Sequence, residues 1–217
     1  QRLPAIPGRC RRAAERGLRA LLVETGRRAE ADAIDPERGS ATSLLVVGPF
    51  GDDGDHFLDQ RFAPDLAFPS PGEELIGRFG PLAPYVVRRG ARQTALDLRR
   101  PGDGRNGCFY ALHQVRAERD LAAWLEVTCA SAWRATVRGE VVREMRRPAE
   151  RGRLRTFVPV RLAAGVNHVM IKIGLEDQTN LALRFVDARG EPVAGVVELP
   201  ADRRHAPASG GIDAAIQ

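Results

Sequence analysis

Apolar and polar positions alternate along much of this chain, most plainly from Val158 to Val186. Val158, Val160 and Leu162 alternate with Pro159 and Arg161. Val169, Ile171 and Ile173 alternate with Met170 and Lys172, and Leu181, Leu183 and Phe185 with Ala182 and Arg184. Residues two apart share one face of a strand, so each run predicts a strand with a dry face and a wetter one. A tight Gly-Val-Asn turn at 165–167 is expected between the first two runs. Further strands are predicted at Leu44–Val47, Tyr85–Val87, Thr94–Leu98, Cys108–Val115, Leu121–Cys129, Trp133–Val137, Val141–Met145 and Val193–Leu199. Short strands separated by Gly, Pro and Asp argue for a β-sandwich. Alternating βα units, the mark of a parallel sheet, are absent.

The start of the chain has a different period. Ala13, Ala14, Leu18, Leu21, Leu22 and Ala29 recur near 3.6 with arginines opposite, which predicts helix over 9–34, interrupted at Gly26. Asp35-Pro36-Glu37-Arg38-Gly39-Ser40 reads as a boundary. Between Gly51 and Pro84, five prolines forbid a long helix or a central strand. The organisation is therefore a helical lead-in over 1–40, a sandwich over 41–200 and a mobile tail over 201–217. A chain that begins at Gln1 rather than Met reads as a piece of something longer.

Composition changes this picture little. The net charge of +5 and pI near 9.8 invite a nucleic-acid partner. Lys172, however, is the only lysine among 33 basic residues, and the arginines are spread among 28 acids. That is the texture of biased codon usage rather than of a phosphate-binding surface, so no nucleic acid is expected. No apolar run approaches the roughly 20 residues that span a bilayer, so no membrane insertion is expected either. Cys10, Cys108 and Cys129 form no C-x-x-C pair, and Cys108 and Cys129 read as buried thiols or as a disulfide.

Candidate chemistry is sparse. Asp52, Asp53 and Asp55 crowd one loop, a weak calcium candidate whose spacing does not match an EF-hand. His56, His113, His168 and His205 lack metal-ligand spacing, and no nucleophile elbow, phosphate loop or facing carboxylate pair is present. No cofactor and no catalysis are expected. Trp124 falls in phase with Glu126 and Thr128, opposite Leu125 and Val127. It either stacks on a sugar ring from an outer sheet face or packs beneath the helical lead-in or a neighbouring domain. Trp133, in phase with Ala135 and Val137, reads as core.

Several segments occur in a recognisable order: Val47-Gly48-Pro49-Phe50; Asp59, Phe62, Pro64 and Asp65; Leu162, Gly165 and Asn167; Arg184 and Asp187. The helical phrase LRALLVETGRRAEADAI also resembles the hinge of a tetratricopeptide helix pair. Together, residues 43–195 resemble the jelly-roll β-sandwich modules of large exported bacterial proteins that carry transglutaminase-like or tetratricopeptide domains. These modules are related to carbohydrate-binding modules and protective-antigen-type lectin-like sandwiches. The resemblance implies a mainly β, two-sheet antiparallel jelly roll and an exported, non-catalytic accessory module. Its partner would be a glycan or a neighbouring domain or protein. Where relatives carry an acidic pair for calcium, this chain has Thr128-Cys129-Ala130-Ser131, and an Asn-Gly turn is replaced by Arg138-Gly139. The implied metal and sugar site is therefore eroded, and the expected ligand-binding residues are Trp124, Tyr110, Arg138 and Glu140. The alternative is a spacer that docks helical repeats or a partner protein.

Overall fold

The computed structural model describes residues 8–34, 38–51, 55–90, 93–98, 106–146, 154–175 and 180–206. Two helices come first, α1 (Gly8–Glu24) and α2 (Arg28–Ala33), broken at Gly26 in a left-handed conformation. The strands follow in chain order: β1 (Ser43–Phe50), β2 (Leu75–Gly77), β3 (Gly80–Leu82), β4 (Tyr85–Arg88), β5 (Leu96–Asp97), β6 (Gly107–Ala117), β7 (Leu121–Cys129), β8 (Trp133–Val137), β9 (Glu140–Met145), β10 (Leu154–Leu162), β11 (Gly165–Leu175), β12 (Asn180–Val186) and β13 (Val196–Glu198). A 3-10 turn (Asp55–Leu58) and a short helix, α3 (Ala63–Leu66), lie between β1 and β2.

Eleven of the thirteen strands form two antiparallel sheets, and β2 and β3 pair as a separate hairpin. The first runs β4-β1-β6-β11-β8-β9, with β13 also paired to β6, and the second runs β10-β7-β12-β5. From β6 onward almost every connection crosses between the sheets, the β8–β9 hairpin being the exception. The fold is the expected jelly-roll sandwich. Its core lies between the sheets and includes Leu44, Val46, Leu125, Val127, Trp133, Ile171, Ile173 and Leu183. Burying each such side chain is worth about 1.5–3 kcal/mol against leaving it in water. Trp133 is core, as its phase predicted.

Alternation predicted which residues point inward, but not what covers the other face. The outer face of the first sheet is also buried. Leu45, Val47, Phe50, Cys108, Tyr110 and Leu112 pack beneath Phe57, Leu58, Phe62 and Phe68 from the proline-rich segment. Lys172, on the polar side of its run, is 1% exposed. The Val-Gly-Pro-Phe motif serves both layers. A Cβ on Gly48 would stand 2.7 Å from the Phe109 ring, so only glycine lets the strand pass there, and Phe50 then enters the outer cluster.

The expected Gly-Val-Asn turn is not a hairpin turn. β10 and β11 belong to different sheets, and Gly165–Asn167 already pairs with β6. Asn167 is fully buried and braces the corner, with Oδ1 accepting from Ala163 N and Nδ2 donating to the Ala163 and Gly165 carbonyls. Residues 201–206 pack back against β6. Ala201 is buried, and Gln114 bonds the backbone of Arg203 and His205. Residues 207–217 lie outside the described residues.

Candidate functional site

A cleft of about 790 Å³ opens where edge strands β9 and β10 of the two sheets meet. Its floor comes from the second sheet. Trp124 on β7 stands opposite Pro159 on β10, and Ala122 opposite Arg161. Because Leu125 and Val127 fill the core, their neighbour Trp124 must face out, and it is half-buried there. β10 is an edge strand, which tolerates Pro159 and leaves that ring exposed beside the indole. Arg138 and Glu140 line one wall from the β8–β9 hairpin, and Asp187 the other from the end of β12.

The hairpin turn is tight. Arg138 and Gly139 both have positive φ, 52° and 81°, the type I′ geometry that suits a two-residue hairpin. Arg138 is the only non-glycine described residue in this conformation, and its amide donates to the His168 carbonyl at 2.9 Å. The side chain is thereby held at the cleft wall.

The cleft is lined by two arginines, Arg138 and Arg161, and two acids, Glu140 and Asp187. Asp187 Oδ1 accepts from Arg189 N (2.8 Å) and Glu191 N (2.9 Å), so this carboxylate organises the turn after β12. Neither Arg138 nor Arg161 has an ion-pair partner among the described residues. Elsewhere on the same sheet face the pattern is opposite. Glu126 bridges Arg155 at 2.9 Å and Arg184 at 3.4 Å, and Arg184 also donates to the Gly190 and Arg38 carbonyls. Arg16 of α1 borders that paired cluster with Glu126 and Thr128.

Three of the four expected ligand residues, Trp124, Arg138 and Glu140, thus line one cleft. Tyr110 does not join them. It is fully buried on the outer side of the first sheet, and its hydroxyl donates to Asp65 at 2.5 Å, so it cannot meet a ligand. Asp52, Asp53 and the side chain of Asp55 lie outside the described residues. Among the described residues, no three His, Cys, Asp or Glu side chains cluster as a metal would require. His113 is buried and stacks on Phe185, while His168 Nε2 sits 2.7 Å from the His205 carbonyl. Cys108 and Cys129 are free thiols on different layers: Cys108 in the outer cluster, Cys129 between the sheets. Sequence reasoning missed Arg161 and Pro159 as cleft residues. The signal was available, since both occupy the outward phase of their run.

No protein-family model matches the chain, and no curated protein does. Among solved structures, it is similar to a family 35 carbohydrate-binding module from an environmental isolate. That match has 17% identity and a TM-score of 0.33, over 42% of this chain and 69% of the other. It is also similar to β-glucosidase from Kluyveromyces marxianus in complex with glucose, at 14% identity and TM-score 0.34, over 54% of this chain and 15% of the enzyme. A selenomethionine-labelled structure of the same enzyme gives 11% identity and TM-score 0.38, over 75% and 17%. At these scores the likeness carries no argument, and the sandwich rests on its own strand pairing. No helix of the described residues is long and apolar enough to cross a membrane.

Proposed function

We propose that this chain is a non-catalytic module that binds a glycan in the Trp124 cleft, within a longer exported bacterial protein. One observation carries the reading: an outward indole opposite Pro159 shares one cleft with two arginines, Arg138 and Arg161, that have no ion-pair partner among the described residues. A sugar ring stacks on such an indole through its C–H face, while guanidinium groups donate to hydroxyls and carboxylates. With the Asp187 carboxylate engaged by its own turn amides, Arg138 and Arg161 are the groups left to meet acidic substituents, which favours a glycan that carries carboxylates. Hydrolysis would need two carboxyls across the bond, and Asp187 is committed to its turn. Binding needs no cation in this reading, so a chelator leaves it unchanged. Export and the multidomain setting come from the sequence resemblance.

Calorimetric titration with matched neutral and uronic-acid oligosaccharides tests the proposal. Uronic-acid ligands are expected to bind, and Trp124→Ala and Arg161→Ala each to weaken them at least about tenfold, or 1.4 kcal/mol. Silence across the panel sinks the reading. A second reading, docking onto a helical neighbour, draws on α1, where Leu18, Leu21 and Val23 are 49%, 55% and 48% exposed. In the longer protein, Leu18→Ser with Leu21→Ser would then speed proteolysis near Gly26, whereas unchanged cleavage would count against docking.

A further inference from the structure

Lys172, the one lysine of the chain, is the most deeply buried charged side chain among the described residues. Lys172 is 1% exposed, and its Nζ lies 5.1 Å from the Phe62 ring centroid and 5.4 Å from that of Tyr110. It donates to the Gln60 carbonyl and, at 2.7 Å, to Oδ2 of Asp65, whose side chain is 16% exposed. The same Oδ2 accepts from the Tyr110 hydroxyl at 2.5 Å and from Phe62 N at 3.1 Å. Oδ1 has no hydrogen-bond partner among the described residues. Three donors therefore converge on one oxygen of the carboxyl group and leave the other bare.

We propose that Lys172 and Asp65 condense into an intramolecular isopeptide bond. One proton passes from the ammonium to Oδ1, which leaves an amine and a carboxylic acid. Nζ then attacks Cγ. With Nζ 2.7 Å from Oδ2, Cγ is one C–O bond beyond, close to the roughly 3–3.5 Å of a near-attack arrangement. The carbonyl electrons move onto Oδ2, where the Tyr110 O–H and the Phe62 N–H form an oxyanion hole. Burial, above all, pushes the Tyr110 hydroxyl far above its ordinary value, so it remains a donor throughout. The nitrogen gives a second proton to Oδ1, the Cγ–Oδ1 bond breaks, and water leaves. One C–N bond forms, one C–O bond breaks, and no oxidant or reductant is needed. Arginine cannot perform this step, because its guanidinium does not give up its proton. That accounts for a lysine at this one position.

The bond would fasten the segment covering the first sheet to β11, across 107 residues of chain. Mass spectrometry of the whole purified chain tests it, independently of any glycan. The intact protein is expected to be lighter than its sequence by one water. Digestion at arginine should then release a branched peptide joining Lys172 to Asp65. Lys172→Met and Asp65→Ala should have full sequence mass. Tyr110→Phe keeps the ring but removes one oxyanion donor, so its conversion should be slower on the order of 100-fold and visible over time as a falling full-mass fraction. Wild-type protein that keeps its full mass after incubation has only an ion pair and overturns the proposal, whether or not the variants fold. So does a water loss that maps to a succinimide at Asp53-Gly54 or Asp103-Gly104.

Discussion

Arg138 concentrates at one residue the tension between stability and binding. A side chain with φ of 52° crowds its own carbonyl, at about 1–2 kcal/mol, and glycine is free of that cost. Strain of this kind survives where a side chain is needed in place. Arg138→Gly should therefore raise stability by about 0.5–1 kcal/mol in urea denaturation, since the amide bond to His168 is kept, while weakening ligand binding. A neutral or destabilised Arg138→Gly would remove the argument from strain. Trp124 and Tyr110 mark what alternation can say about single residues. Phase placed Trp124 on an outward face, and Tyr110 also lies on the outward side of its sheet, but one face is open and the other lies under a third layer. A period of two carries no information about what packs on top.

At the scale of elements, the strands were legible because their period is plain and Gly, Pro or Asp ends them. The hairpin β2–β3 and helix α3 were not, because each is only three or four residues long and is held by the sheet beneath rather than by its own pattern. Lys172 was visible as the single lysine yet read as codon bias, since burial is not written in composition. One junction has a consequence for pH. β1 and β13 lie end to end along the same edge of β6, and the Glu198 carboxylate closes the gap by accepting from Thr42 N and Ser43 N at 2.9–3.0 Å. His113 lies below, with Nδ1 3.9 Å from Glu198 Oε1. Burial depresses the His113 imidazole below its usual range, although Glu198 and a backbone hydrogen bond with Ser43 oppose the shift. The unfolded chain therefore binds this proton more readily than the folded one. The contribution is complete above about pH 6.5 and is lost as pH falls toward the lower folded value, at no more than about 1.4 kcal/mol per pH unit. Urea midpoints measured from pH 7.5 to 5 should fall in the wild type and flatten in His113→Gln. Parallel curves would assign the acid loss to other groups.

For the whole molecule, the question is whether the third layer opens alone or only with the sandwich. Its contents are apolar and aromatic, but it is stitched to β11 by Lys172 and Asp65, and to the β8–β9 hairpin by Arg134 bonding the Leu58 carbonyl and Arg146 pairing with Asp59. The two free thiols report on the two layers. Cys108 sits beneath the cover, and Cys129 lies between the sheets, where burial pushes its thiol up to about 11. Burial raises Cys108 further still. Neither thiol should react with an aromatic disulfide reagent in the native state, because the thiolate is the nucleophile and both are enclosed. In a Cys10→Ser background, both should become reactive over one urea range, since the clasp makes the cover and the core a single cooperative unit. Lys172→Met should change that. It leaves the Asp65 charge without its cation, at a cost of about 3–5 kcal/mol, and frees the cover from β11. Cys108 should then react at lower urea than Cys129. If Cys108 is already the first to react in the wild-type sandwich, the clasp does not couple the layers, and the third layer is an independent flap on a self-sufficient two-sheet fold.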